Sequence, residues 1–211
     1  MRVLFCKTAY MKYYKGVVKE GPEKDEPVNG GTYIKENGTG GEIYNFDSVP
    51  WEDGEEVCLG FVETKGTSTR GKANALHIEK IEGCGSLKEK DAAEDVLVIW
   101  CATLERGEAA VMGWYRHATV YRSYQKINKH DEHIKSYNVF AKKEDCVLLP
   151  FRKRTWNGWT VPAARKNGYG FGQSLVWYPA EDMEKPMVRK ILQNIEAYDG
   201  ENDIDKAPKT E

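Results

Sequence analysis

Apolar positions in this chain fall mostly in short, strand-length runs, separated by stretches rich in Gly, Asn, Asp and Pro. Residues 96–103 are almost continuously apolar, the pattern of a central strand covered on both faces. Residues 2–6 read as a short opening strand, 41–46 alternate weakly, 57–63 form a strand pattern with a glycine inside it, and 76–81 alternate apolar with polar. Two further segments, 109–115 and 118–121, are interrupted by Arg116-His117, where a bend or bulge is expected. Segments 138–141 and 146–149 complete the strand pattern. Helical periodicity is clearest over 185–198, where Met187, Val188, Ile191, Leu192 and Ile195 share one face, Pro186 suits the first turn and Gly200 acts as a stop. That helix is expected to pack across the sheet, and a short one capped by Ser86 is expected over 87–94. The pattern predicts a mainly β (α+β) fold, a curved β-barrel with few peripheral helices and a C-terminal helix. It places one domain over residues 1–198 and an acidic flexible tail or linker over 199–211.

Composition narrows this picture. The chain has 211 residues, 40% of them hydrophobic, which suits one well-packed domain. The longest apolar run, 96–102, is far too short to cross a bilayer, and the first residues lack a signal-peptide pattern, so a cytoplasmic setting is expected. Five scattered cysteines, with no Cys-x-x-Cys pair, point to reduced and mostly buried thiols. The net charge of −2 is unevenly spread: residues 1–19 and 102–180 are basic, whereas 20–101 and the last thirty-one are acidic. A nucleic-acid surface built from the two basic blocks is compatible with that distribution, as is ordinary charge mixing on a surface. Two long loops, 21–41 and 151–172, fall where function often resides.

The chemistry-bearing residues cluster at 111–122, Val-Met-Gly-Trp-Tyr-Arg-His-Ala-Thr-Val-Tyr-Arg, and at 168–178, Gly-Tyr-Gly-Phe-Gly-Gln-Ser-Leu-Val-Trp-Tyr. Interleaved aromatic and basic residues can stack on a base and hold its phosphates, although any single aromatic is as readily a core residue. Because side chains alternate along a strand, Trp114 and Tyr115 should face opposite sides, one toward the core and the other toward a pocket. Competing motifs are weaker. Gly168-x-Gly-x-Gly172 leads into a strand pattern, not a helix, which argues against a phosphate cradle. Gly66 to Lys72 has P-loop spacing, but Ala73 replaces the residue that would hold magnesium. Asp53, Glu63 and Lys65 imitate the Asp…Glu-x-Lys pattern of metal-dependent nucleases and give an enzymatic alternative. His130 and His133 offer two metal ligands without a third, and His77 and His117 lack a nucleophile partner in sequence. No catalytic residue, resident metal or cofactor is therefore assigned. A domain whose acidic block binds a basic protein partner is a further alternative.

One series of motifs carries a resemblance. It comprises Cys6-Lys-Thr-Ala-Tyr-Met-Lys-Tyr-Tyr-Lys-Gly16, Gly30-Gly-Thr-Tyr33, Glu42-Ile-Tyr-Asn-Phe46, Gly113 to Tyr121 and Gly172 to Tyr178. Over about residues 1–180 it resembles the N-terminal region of a bacterial group often joined to an HNH or other restriction-type nuclease. In general architecture it is similar to EVE and other PUA-like domains, which include readers of modified bases. The resemblance implies a curved barrel with a pocket for a flipped base, modified cytosine in DNA first and RNA second, in a restriction or defence setting. Trp114, Tyr115, Tyr121 and Trp177 are then expected in the base pocket, supported by Tyr13, Asn45, Gln173 and Ser174. Arg116, Arg122, Arg152, Lys153 and Arg154 are expected to contact phosphates. No HNH segment follows residue 180, so under this resemblance cleavage would be absent or belong to another domain or partner subunit.

Overall fold

Val3–Lys7 (β1) is the first strand of the chain but lies inside the sheet, parallel to Ala92–Thr103 (β4) and antiparallel to Val176–Trp177 (β8). The computed structural model describes residues 1–28, 41–64, 75–127, 134 and 136–209. The other strands are Ser48–Pro50 (β2), Glu56–Gly60 (β3), Ala109–Lys126 (β5), Ser136–Lys142 (β6) and Cys146–Leu148 (β7). They form one eight-stranded mixed sheet in the order β2-β3-β6-β5-β4-β1-β8, with β7 pairing beside β5. The fold is mainly β, as expected, but β2 and β8 end the path unpaired with each other, so the sheet is open, not a closed barrel.

Two helices accompany the sheet, the four-residue Ala164–Asn167 (α1) and Pro186–Glu196 (α2). The expected helix at 87–94 is absent: a 3-10 turn, Gly85–Leu87, leads through four residues into β4. The expected strands at 41–46 and 76–81 are likewise turns, Gly41–Tyr44 and Ile78–Lys80. In both segments weak alternation came from apolar residues anchoring a turn to the core, since Ile43 and Ile78 are buried. No helix among the described residues is long and apolar enough to cross a membrane.

Both faces of the central strands are covered. Leu4, Cys6, Val98 and Trp100 belong to one core cluster, whereas Val3, Phe5, Ile99 and Cys101 belong to another on the opposite face. Val188, Ile191 and Ile195 of α2 close the second cluster. Burying those three side chains contributes roughly 1.5–3 kcal/mol each. All five cysteines are buried free thiols.

The interruption expected at Arg116-His117 is present. β4 carries an extra residue between the Ala93–Val120 and Val96–Ala118 pairs, and β5 carries one between Val96–Ala118 and Val98–Tyr115. Asp95 and His117 occupy these reciprocal bulges in the left-handed region, at φ 55° and 47°. Their side chains meet, with His117 Nδ1 2.8 Å from Asp95 Oδ1.

The segment after residue 198 does not hang free as a tail. Ile204 is buried in the first core cluster, Asn202 Oδ1 accepts from the Leu148 N–H at 2.9 Å, and Asn202 Nδ2 donates to the Cys146 carbonyl at 2.8 Å. One buried isoleucine and an asparagine mimicking a strand neighbour pin an otherwise acidic stretch.

A candidate nucleic-acid interface

The residues expected to share a base pocket are dispersed through the fold. Trp114 and Tyr115 do face opposite sides of β5, but each side is roofed, and both side chains are 0% exposed. Trp114 packs under α2 with Trp177, and Tyr115 lies in the other cluster against Trp100 and Phe46. Trp177 is wedged between Phe5 and Phe171. Tyr121 is half-buried in a third cluster, edge-on to Tyr137. Tyr13 is buried and its hydroxyl donates to Glu23 at 2.8 Å. Asn45 is an interior clamp, its side chain accepting from the Phe61 N–H and donating to the Phe61 carbonyl. Gln173 and Ser174 are exposed, and Ser174 Oγ accepts from the Val176 N–H. The alternation argument failed because it assumed one solvent face, which this sheet does not have at β5.

Three of the five expected phosphate ligands are instead held by the protein's own carbonyls. Arg154 is 0% exposed and donates to the carbonyls of Leu149, Met11 and Lys12 at 2.6–2.8 Å. Burial pulls its pKa below the ordinary arginine value. Arg122 ties residues 87–90 to β5 through the carbonyls of Leu87, Lys88 and Lys90, and pairs with Glu79 at 2.8 Å. Arg116 donates to the Ile195 carbonyl at 2.6 Å, placing a cation on the orphan carbonyls at the C-terminal end of α2. Arg152 and Lys153 are exposed.

The nuclease alternative is not supported by placement. Asp53 lies in the turn Glu52–Gly54 before β3 and Glu63 follows the far end of that strand. Roughly 13 Å of strand separates the two ends at ~3.3 Å per residue, so the backbone does not set the two positions side by side. Lys65, the 66–72 glycine motif and His130 to His133 lie outside the described residues.

One surface does combine exposed aromatic and cationic groups. The buried Arg154 guanidinium anchors the loop that begins with the 3-10 turn Phe151–Lys153, so its neighbours Arg152, Lys153 and Trp156 project outward. Trp156 is 55% exposed, and a Cβ on Gly158 would overlap its ring, so the indole lies flat over that glycine. Lys190 Nζ sits 6.0 Å from the Trp156 ring centre and Lys153 Nζ 5.4 Å from that of Tyr198. A groove of about 420 Å³ runs between them, lined by Trp156, Trp159, Asn194 and Tyr198, with Asp199 at its mouth. Trp159 stacks on Trp114 at 5.7 Å, and Trp156 meets Trp159 edge-on at 6.1 Å. An aromatic ladder therefore runs from the core beneath α2 to the surface.

Comparison with protein-family models, with curated proteins and with solved structures finds no match. The functional reading therefore rests on this geometry. Asn194 lines the groove and Lys190, one helical turn earlier on α2, stands over the Trp156 ring, and that polar spacing was the sequence signal for them. Trp156 carried a signal of its own, a tryptophan one residue beyond three consecutive basic residues in a polar loop.

Proposed function

We propose that this protein binds nucleic acid, with Trp156 as the surface on which a base stacks and Arg152, Lys153 and Lys190 as the cations that meet the backbone. The observation carrying this reading is the exposed indole that lies against Gly158 with Lys190 over its ring and Lys153 in the adjoining groove. A base stacked on such a ring contributes ~1–3 kcal/mol whatever its sequence, and flanking cations add salt-dependent attraction. The groove beside Trp156 has room for one extruded base, and Asn194 and Tyr198 place polar groups along its wall. Extruding a base from a duplex costs a few kcal/mol, so a single strand or a weakened pair is the favoured form. Modified cytosine in DNA is the ligand implied by the EVE- and PUA-like resemblance, with cleavage supplied by another domain or subunit.

Fluorescence anisotropy with labelled single-stranded DNA, single-stranded RNA and duplexes with or without modified cytosine tests this. Trp156→Ala should weaken binding at least fivefold, and replacing Arg152 and Lys153 by Ala should reduce the salt dependence. Unchanged affinity in the folded Trp156→Ala protein would sink the assignment.

A further inference from the structure

On the other side of α2 the reciprocal bulges open onto a second cavity, of about 370 Å³. Leu97, Leu192 and Ile195 supply its apolar surface. Arg2, Arg116 and His117 meet there with Asp95 and Glu196. Each guanidinium has one hydrogen bond to a main-chain carbonyl, Arg2 to Glu94 and Arg116 to Ile195, both at 2.6 Å. Among the described residues neither is within ion-pair distance of a carboxylate, and an arginine has further N–H donors to offer. Asp95 is engaged by His117, which orients the imidazole through Nδ1. Both guanidiniums therefore present N–H donors at the cavity that no carboxylate engages, beside an apolar wall.

The backbone supports a built site. Two non-glycine residues in the left-handed region, opposite each other in adjacent strands, cost conformational energy that ordinary pairing would avoid, and bulges of this kind re-aim side chains. Here both side chains line the cavity beside Leu192, Ile195 and Glu196 of α2, His117 69% and Asp95 73% exposed.

We infer that this cavity binds a small amphipathic monoanion, its apolar part against Leu97, Leu192 and Ile195 and its acidic group at Arg2, Arg116 and His117. The site is distinct from the Trp156 groove, because Leu192, Ile195 and Glu196 lie on one side of α2, and Asn194, Ala197 and Tyr198 on the other.

Titrating the protein with octanoate, octylammonium and inorganic phosphate while following the histidine ring signals by NMR tests the inference. Octanoate should saturate and shift the His117 ring signals. Octylammonium should leave them unmoved, and phosphate should need at least tenfold higher concentration. His117→Asn keeps a residue that tolerates the left-handed backbone, and with Arg2→Gln each should weaken octanoate at least fivefold. If either variant fails to fold, Leu192→Glu, at a half-exposed wall position, should do the same. Equal binding of octylammonium, no saturation with octanoate, or octanoate affinity unchanged in the folded variants would overturn it.

Discussion

The guanidinium of Arg154 donates to the carbonyl of Met11 at 2.6 Å from a position wholly inside the protein. It fastens the loop after β1 to the loop after β7, and in doing so it holds Trp156 at the surface. Arg154→Met should strand three carbonyls and lower unfolding free energy by about 3–5 kcal/mol, measured by chemical denaturation. Arg152→Ala, on the exposed neighbour, should change it by less than ~0.5 kcal/mol. Equal effects at the two positions would refute the division of this basic run into an inner anchor and outer contacts.

Gly158→Ala should separate the stacking surface from the fold. The added methyl overlaps the Trp156 ring, which is free to swing outward because the side chain is exposed. Nucleic-acid affinity should fall about as far as in Trp156→Ala, while the thermal midpoint shifts by no more than a few degrees. A variant that binds normally would show that the ring need not lie flat.

Asn138 accepts from the Val62 N–H at 3.0 Å and donates to the Val62 carbonyl at 2.9 Å, while Asn45 grips Phe61 in the same way. Asn138→Leu strands the buried Val62 N–H and leaves the Val62 carbonyl only the 3.4 Å bond from the Tyr124 hydroxyl, and should cost roughly 2–3 kcal/mol. Hydrogen exchange at Val62 should accelerate, and unaltered protection there would mean the clamp is dispensable.

Glu42 has its carboxyl pushed up to about 7 from the usual 4.5, first by burial and then by the charge of Glu63. The folded state therefore holds the proton more tightly than the unfolded chain. Its contribution is full below about pH 4.5 and is lost as pH rises through about 7. Glu42 is only half-buried, so the loss should be at most about 2 kcal/mol. Denaturation midpoints at pH 5 and pH 8 should differ less in Glu42→Gln than in the parent protein. An identical difference would assign the pH dependence to other groups.

The strands β1, β3 to β7 and α2 were legible because their apolar periodicity is local, and so was the break at Arg116-His117, whereas 41–46 and 76–81 read as strands and fold as turns. The burial of Trp114 and Tyr115 was not, since it depends on α2 arriving from residues 186–196 to roof a face that the strand pattern leaves open. The arginines misled for a related reason. A guanidinium that caps a distant carbonyl and one that awaits a phosphate look alike in sequence, and only the fold shows that Arg116, Arg122 and Arg154 meet main-chain oxygen. Trp156 was visible as an aromatic in a basic loop, but its exposure follows from Arg154 turning inward two residues earlier.

The place of β1 has a consequence for synthesis. Val3–Lys7 leaves the ribosome well before its neighbours Leu97–Cys101 and Val176–Trp177. At about 5–20 residues per second, the first of these contacts waits for several seconds to about twenty, and the second for about twice as long. During that interval an apolar strand has no sheet to join, which makes the nascent N-terminal segment a natural site for chaperone capture.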